Sequence, residues 1–184
     1  LYLEKFVEHG RHIEFQVMGD RFGKVLHFGE RECSVQRRHQ KLIEEAPSPV
    51  IDRDTRVGFG AQLCAALSRL GYVGAGTIEM LRAPDGALYF MEMNTRLQVE
   101  HPVTEAVCGV DLVELQLRVA AGERLTLKQE EIQWSGHAIE ARLNAEEVAD
   151  DFRPSPGTIT AFHVPADRGP GSVRIETHIT APAE

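Results

Sequence analysis

The 184 residues are 42% hydrophobic and 26% charged, which suits one ordinary globular domain, or one domain and part of another, and excludes a disordered or fibrous chain. A formal net charge of −8 argues against general nucleic-acid binding, and no apolar run approaches the roughly 20 residues that a membrane-spanning helix needs. Three cysteines, Cys33, Cys64 and Cys108, lie far apart and outside any C-x-x-C spacing, so neither a disulfide framework nor a zinc site is expected, and a reducing compartment is the simplest home.

The start, LYLEKFVEHG, has no initiator Met and reads as an apolar strand; the end, ETHITAPAE, closes no element. Both suggest a piece of a longer protein, in which a targeting segment would not be visible. RHIEFQVMGD puts Ile13, Phe15 and Val17 on one strand face and His12, Glu14 and Gln16 on the other. With KVLHFGE after the GDRFG turn it predicts a hairpin. RRHQK, residues 37–41, is a basic cluster in an acidic chain: a solvated surface, a set of ion pairs, or a local anion site. EEAPSPV reads as a Pro-containing loop, after which Asp52 or Asp54 caps a helix carrying Val57, Leu63, Cys64, Leu67 and Leu70 and ending at Gly71.

YVGAGTIEMLRAPDGALYFMEMN predicts a second hairpin, turning at Asp85 and Gly86. Its continuation, MEMNTRLQVEH, places Glu92, Asn94, Arg96, Gln98 and Glu100 on one face of an extended chain. Such a row would span about 26 Å, too long for one small ligand, so it must bend or serve neighbouring ligands. His101 and Pro102 end it. Asp111 caps a helix over LVELQLRVAAG closed by Gly122, and TLKQEEIQWSG connects to three further strands in HAIEARLNAE, GTITAFHV and SVRIETHI. A boundary near Ser135 separates residues 1–134 from 135–184, and the order of elements predicts an α+β fold with mostly antiparallel pairing.

Glu92 and Asn94 are one strand period apart, and Glu79 lies on the partner strand, so two carboxylates and an amide gather at one hairpin end. That oxygen-only set suits Mg²⁺ or Mn²⁺, unless these acids form a solvated face. Mg²⁺ held by few carboxylates completes its shell with water and phosphates, which implies a nucleotide, although neither G-x-x-x-x-G-K-[ST] nor G-x-G-x-x-G occurs. His39 and Lys41 can meet phosphates. Arg96 offers a planar fork to a carboxylate or bicarbonate, with Glu100 as a base beside it; the alternative is a mutual Arg96–Glu100 ion pair.

EMNTRLQVEHPVTE, ERECSVQRRHQKLIEEAPSP, GAGTIEM and HAIEARLNAE together closely resemble the biotin carboxylase component of biotin-dependent carboxylases. The likeness runs essentially end to end, with the motifs in order. It implies the second half of an ATP-grasp domain, with a mixed or antiparallel sheet and helices, over 1–134 and the start of a β-rich C-terminal domain over 135–184. The implied activity is ATP-dependent carboxylation of biotin with bicarbonate through carboxyphosphate, with Mg²⁺ or Mn²⁺ as metal. By the same resemblance Glu4, Lys5, Phe6 and Val7 form the adenine hinge, Val7 standing where Leu is usual, and His12, Gln36 and His39 surround ribose and phosphates. Lys41 faces bicarbonate and the terminal phosphate; Glu79, Glu92 and Asn94 bind the metal; Arg96, Gln98 and the Val99 backbone hold bicarbonate, with Glu100 as its base. Arg142 stabilises the ureido oxyanion of biotin, where the residues alone suggest a strand-face salt bridge with Glu140.

The implied partners are a biotin carboxyl carrier protein or domain, a carboxyltransferase that sets the final acceptor, and a second copy in a homodimer. Neither nucleic acid nor membrane is among them, and the implied compartment is the cytoplasm, or the mitochondrion in a eukaryote. The family's N-terminal domain and its phosphate-covering lid have no counterpart in these residues, so the chain alone is expected to be inactive. Two other readings compete: an ATP-grasp ligase of the carbamoyl-phosphate synthetase type, and a non-catalytic fragment or subunit-contact module. RRHQK and EARLNAE favour the first reading.

Overall fold

β1 (Arg11–Gly19) and β2 (Val25–Arg37) form the predicted antiparallel hairpin, and the alternation in β1 divides two environments. The computed structural model describes residues 1, 3–163, 171–177 and 179. Ile13, Phe15 and Val17 join Ile51, Leu67, Ile78 and Met80 in a buried cluster against α1 (Arg53–Arg69). His12, Glu14 and Gln16 face the other way. The Asp20 carboxylate ties the turn by accepting from the N–H groups of Phe22, at 2.8 Å, and Lys24, at 3.0 Å.

β3 (Gln40–Ala46) follows a turn at Arg38 and His39, both at positive φ, and pairs with β2. Residues 44–46 are thus strand, where a loop is predicted; the Pro-containing connection begins at Pro47. Asp52 caps α1 by accepting from Thr55 N–H at 2.7 Å, and Gly71, at φ +66°, follows its end as predicted. β4 (Gly74–Arg82) and β5 (Leu88–Asn94) make the second hairpin.

The six-stranded sheet has the order β5-β4-β1-β2-β3-β6, where β6 is Ala138–Ala141, and every neighbouring pair is antiparallel. The expected α+β architecture is borne out. α2 (His101–Cys108) and α3 (Leu112–Ala120, capped by Asp111) cover part of the face opposite α1. α2 is an element the sequence pattern did not reveal. Its eight residues open on Pro102 in the first turn and close on Gly109 at φ +65°, both ordinary helix boundaries.

Two compact units divide between Arg142 and Leu143. In the second, β7 (Glu146–Glu147) and β8 (Arg153–Pro154) form a short hairpin around a 3₁₀ turn at Val148–Asp150. The strands predicted over 157–164 and 172–179 are not formed in their described residues; Val164 and His178 lie outside those residues. Alternation marks a chain suited to a sheet, but a strand also needs a neighbour to complete its hydrogen bonds. The predicted strand at the start is corrected too: residues 3–7 are irregular. Among the described residues no helix is long and apolar enough to cross a membrane.

Candidate functional site

The polar face of the sheet is built from one cross-strand rung. Glu14 on β1 stands opposite Arg31 on β2 and opposite Glu79 on β4, and Glu79 stands opposite Glu92 on β5. With strands roughly 4.8 Å apart, this rung runs about 14 Å across the sheet. Arg31 is wholly buried. Its Nε donates to Glu14 Oε1 at 2.6 Å, its Nη1 to Gln16 Oε1 at 2.8 Å and to Thr104 Oγ1 of α2 at 2.9 Å. Weaker contacts run from Nη2 to Thr77 and Gln98.

Lys41, entering from β3, gathers three carboxylates: Glu14 Oε2 at 2.5 Å, Glu100 Oε1 at 2.7 Å and Glu79 Oε1 at 3.0 Å. Burial works against the ammonium charge, but Glu14 and Glu100 outweigh it and raise the Lys41 pKa. Burial likewise works against ionised Glu14, yet Arg31 and Lys41 hold its carboxyl down at about 2. For Glu79 burial is again outweighed, by His12, Gln98 and Lys41, and its pKa falls to about 2. Lys41, Glu14 and Glu79 are therefore all charged at neutral pH. Cys33 sits among them as a thiol, because burial pushes its pKa far up, and a thiolate nucleophile is excluded.

The row from Glu92 to Glu100 bends. β5 stops at Asn94, residues 95–100 are irregular, and Glu100 lies at the head of α2. Gln98 consequently turns back to donate to Glu79 Oε1 at 2.9 Å, and Glu100, only 2% exposed, reaches Lys41. The Glu100 Oε2 accepts from Arg142 Nη2 at 2.7 Å. This replaces the Arg96–Glu100 ion pair that spacing allowed. Arg142 in turn donates from Nε to Glu44 Oε1 at 2.8 Å, rather than pairing with Glu140 as its own strand suggested.

Glu79, Glu92 and Asn94 do converge. Asn94 Nδ2 lies 2.9 Å from Glu79 Oε1 and 3.3 Å from Glu92 Oε1, so the amide now bridges the two acids. A divalent ion fits this donor set, since both carboxylates and the amide oxygen are hard ligands at one end of one hairpin. His12 adds a further group: its Nε2 is 2.8 Å from Glu79 Oε2 and its Nδ1 2.9 Å from Gln36 Nε2, which fits the tautomer protonated on Nε2. His12, Glu14 and Glu79 form a set compact enough to hold a metal.

The other expected residues lie around this centre. Arg96 and Val99 are exposed beside it, with Arg96 donating to Leu97 O at 3.3 Å and to Asn94 Oδ1 at 3.4 Å. His39 occupies the β2–β3 turn and is exposed. Glu4, Lys5, Phe6 and Val7 precede β1, where Lys5 Nζ donates to the Tyr89 hydroxyl at 2.7 Å. Sequence reasoning missed Glu14, Arg31 and Glu44. Glu14 shares the polar face of β1 with His12 and Gln16, a signal that was visible; Arg31 and Glu44 needed the strand register.

Residues 1–128 match the family described as carbamoyl-phosphate synthase L chain, ATP binding domain. The chain is 56% identical over 179 residues to a biotin carboxylase from Nostoc sp. and 57% identical over 179 residues to one from Allochromatium vinosum, in each case 97% of this chain and 39% of the relative. It thus spans about two fifths of the length of these curated relatives. The biotin carboxylase domain dimer of Hydrogenobacter thermophilus 2-oxoglutarate carboxylase, solved with MgADP, ADP and bicarbonate, superposes with a TM-score of 0.87 at 52% identity, covering 90% of this chain and 37% of that one. A biotin carboxylase from Campylobacter jejuni, in a complex with a β,γ-ATP compound, gives 0.84 at 51% identity, covering 90% of this chain and 36% of that one. The rung of charged residues, the antiparallel sheet and these likenesses agree: the chain belongs to the ATP-grasp family of the carbamoyl-phosphate synthase L chain ATP binding domain, on its biotin carboxylase side.

Proposed function

We propose that the parent protein carboxylates biotin on a carrier protein or domain, using ATP and bicarbonate through carboxyphosphate. The observation that carries this reading is the buried Glu100 carboxylate, held at 2.7 Å by Lys41 on one oxygen and at 2.7 Å by Arg142 on the other. One carboxylate thereby links the lysine of the phosphoryl step to the arginine of the biotin step. When substrates enter, each of these three groups exchanges a protein partner for a reacting one.

Arg96, Gln98 and the Val99 backbone orient bicarbonate, Glu100 takes its proton, and a bicarbonate oxygen attacks the γ-phosphorus as the bond to ADP breaks. Lys41 offsets the charge on the transferred phosphoryl group. Glu79, Glu92 and Asn94 would hold a divalent ion, which would supply neutralising charge to the phosphates. Carboxyphosphate then splits into CO₂ and phosphate; the phosphate removes the N1 proton of biotin, and N1 attacks CO₂ while Arg142 stabilises the ureido oxyanion. Glu4 to Val7 hold the adenine, and His12, Gln36 and His39 hold ribose and phosphates.

In this reading residues 1–134 are the second half of the ATP-grasp domain and 135–184 open the C-terminal domain. The chain by itself is inactive, because the rest of the nucleotide clamp comes from elsewhere in the parent. A carboxyltransferase and a second copy of the parent complete the assembly, in the cytoplasm or a mitochondrion. The experiment is Arg142→Gln in the full-length parent. Lost biotin carboxylation with ATP affinity retained supports the reading. Retained carboxylation removes Arg142 from the biotin step, and a parent that cleaves ATP with bicarbonate but never carboxylates biotin refutes the reading and favours a ligase that stops at the acyl phosphate.

A further inference from the structure

Glu140 on β6 stands directly opposite Glu44 on β3. Directly opposed side chains of an antiparallel pair have Cβ atoms about 4.5–5.5 Å apart, where two ionised carboxylates repel. Glu44 is wholly buried, and its Oε1 is occupied by Arg142 Nε at 2.8 Å. Its Oε2 and the Oε2 of Glu140 are both buried and meet no hydrogen-bond donor among the described residues. Two acceptors left bare in opposed carboxyls lack a proton more obviously than anything else.

We propose that Glu44 and Glu140 share one proton, carried by Glu140, and that this acid–carboxylate pair is a positioning device that holds Arg142 aimed at Glu100. The charge balance of the site supports it. Glu14, Glu44, Glu79 and Glu100 already set four carboxylates against the three cations Arg31, Lys41 and Arg142, and a fifth negative charge would find no cation of its own. Burial and the Glu44 charge hold the Glu140 carboxyl up at about 7, and burial raises Glu44 as well. The charged groups acting on Glu140 are Glu44 on β3, Arg142 just past the end of β6, Glu100 at the head of α2 and Arg31 on β2. On β3 and α2, the elements packed against β6, Glu45 is engaged with His137, His101 with Glu105, Lys41 with its three carboxylates, and the Cys108 thiol donates to Phe28 O.

With the proton in place, Glu44 takes one edge of the Arg142 guanidinium and Glu100 another. Loss of the proton gives Arg142 a second carboxylate on its own side of the sheet, and its fork is drawn away from Glu100. The catalytic consequence rests on the proposed role of Arg142 toward biotin; the shared proton does not.

The test uses the full-length parent in two measurements. Infrared difference spectra between pH 6 and pH 8 should show a protonated-carboxyl C=O band that disappears with a midpoint at about 7, is absent in Glu140→Gln and titrates at lower pH in Glu44→Gln. No such band, or one that persists in Glu140→Gln, overturns the shared proton. In the second measurement, Glu140→Ala should lower kcat/KM for free biotin by about 10-fold or more at pH 6, with KM for ATP unmoved, and Glu140→Gln should restore it. The ratio of wild type to Glu140→Gln should then fall as pH rises from 6 to 8. A pH-independent ratio, or a Gln variant no better than Ala, overturns the positioning role. If Arg142 does not serve biotin at all, Arg142→Gln keeps carboxylation while the infrared titration stands, so the two failures are separable.

Discussion

Replacing Arg31 by Met in the full-length parent should loosen the β1–β2 hairpin by about 3 kcal/mol, and two lines of argument bear on that size. Arg31 holds Glu14 with a 2.6 Å hydrogen bond, and both side chains are 0% exposed. Removing one partner of a buried pair costs roughly 3–5 kcal/mol, because the remaining charge stays desolvated. The second route is linkage. The Glu14 carboxyl is depressed from 4.5 to about 2 by Arg31 and Lys41 together against burial, so at about 1.4 kcal/mol per pH unit the two cations jointly give a net gain of ~3 kcal/mol from keeping it ionised, of which Arg31 supplies a part. A depressed carboxyl contributes stability that is present above pH 4.5 and is lost as pH falls toward 2. Lys41 remains beside Glu14 in the variant, which argues for the lower end of the range. Native-state hydrogen exchange of amides in β1 and β2 measures the local opening free energy directly. The double variant Arg31→Met with Glu14→Gln should recover part of the loss, since no buried charge is then left uncompensated. A loss below about 1 kcal/mol in the single variant, or strict additivity in the double one, would refute the argument.

Two further outcomes follow from the same geometry. Glu92→Gln should raise the Mg²⁺ concentration needed for half-maximal ATP cleavage by at least roughly 10-fold, with less effect when Mn²⁺ is supplied, and an unchanged Mg²⁺ requirement would remove Glu92 from the metal set. Gly60→Ala should destabilise by about 1–3 kcal/mol in thermal unfolding, although Ala is the better helix former by about 1 kcal/mol. An added Cβ at Gly60 would lie 2.4 Å from Cε1 and Nδ1 of the buried His27 ring, so packing outweighs propensity; a stabilised variant would contradict this.

Much of the fold was legible because apolar periodicity survives in the sequence. Ile13, Phe15 and Val17 against His12, Glu14 and Gln16 marked both the hairpin and the site face, and Asp52 and Asp111 marked the starts of α1 and α3. Glu79, Glu92 and Asn94 were readable as a group because a hairpin fixes which residues face one another. What was not legible depended on register and on bends. Arg31 meets Glu14 across a hairpin whose pairing slips between Phe15 and Val17, and that bulge leaves no mark in the alternation. α2 was hidden because eight residues give barely two turns of helical period, and it is α2 that turns Glu100 inward toward Lys41 and Arg142. The alternation at 157–164 and 172–179 overstated the strand content, since a period of two records no partner.

Glu100 joins both proposed half-reactions, and Glu100→Gln in the full-length parent tests its role as base most directly. The amide keeps the size of the side chain and one acceptor oxygen but cannot take a proton from bicarbonate. Bicarbonate-dependent ATP cleavage should fall by at least roughly 10²-fold, as expected for a positioned base, with ATP affinity within a few-fold of wild type. Near-normal turnover of the variant would contradict the assignment and leave Glu100 as a bridge between Lys41 and Arg142 only.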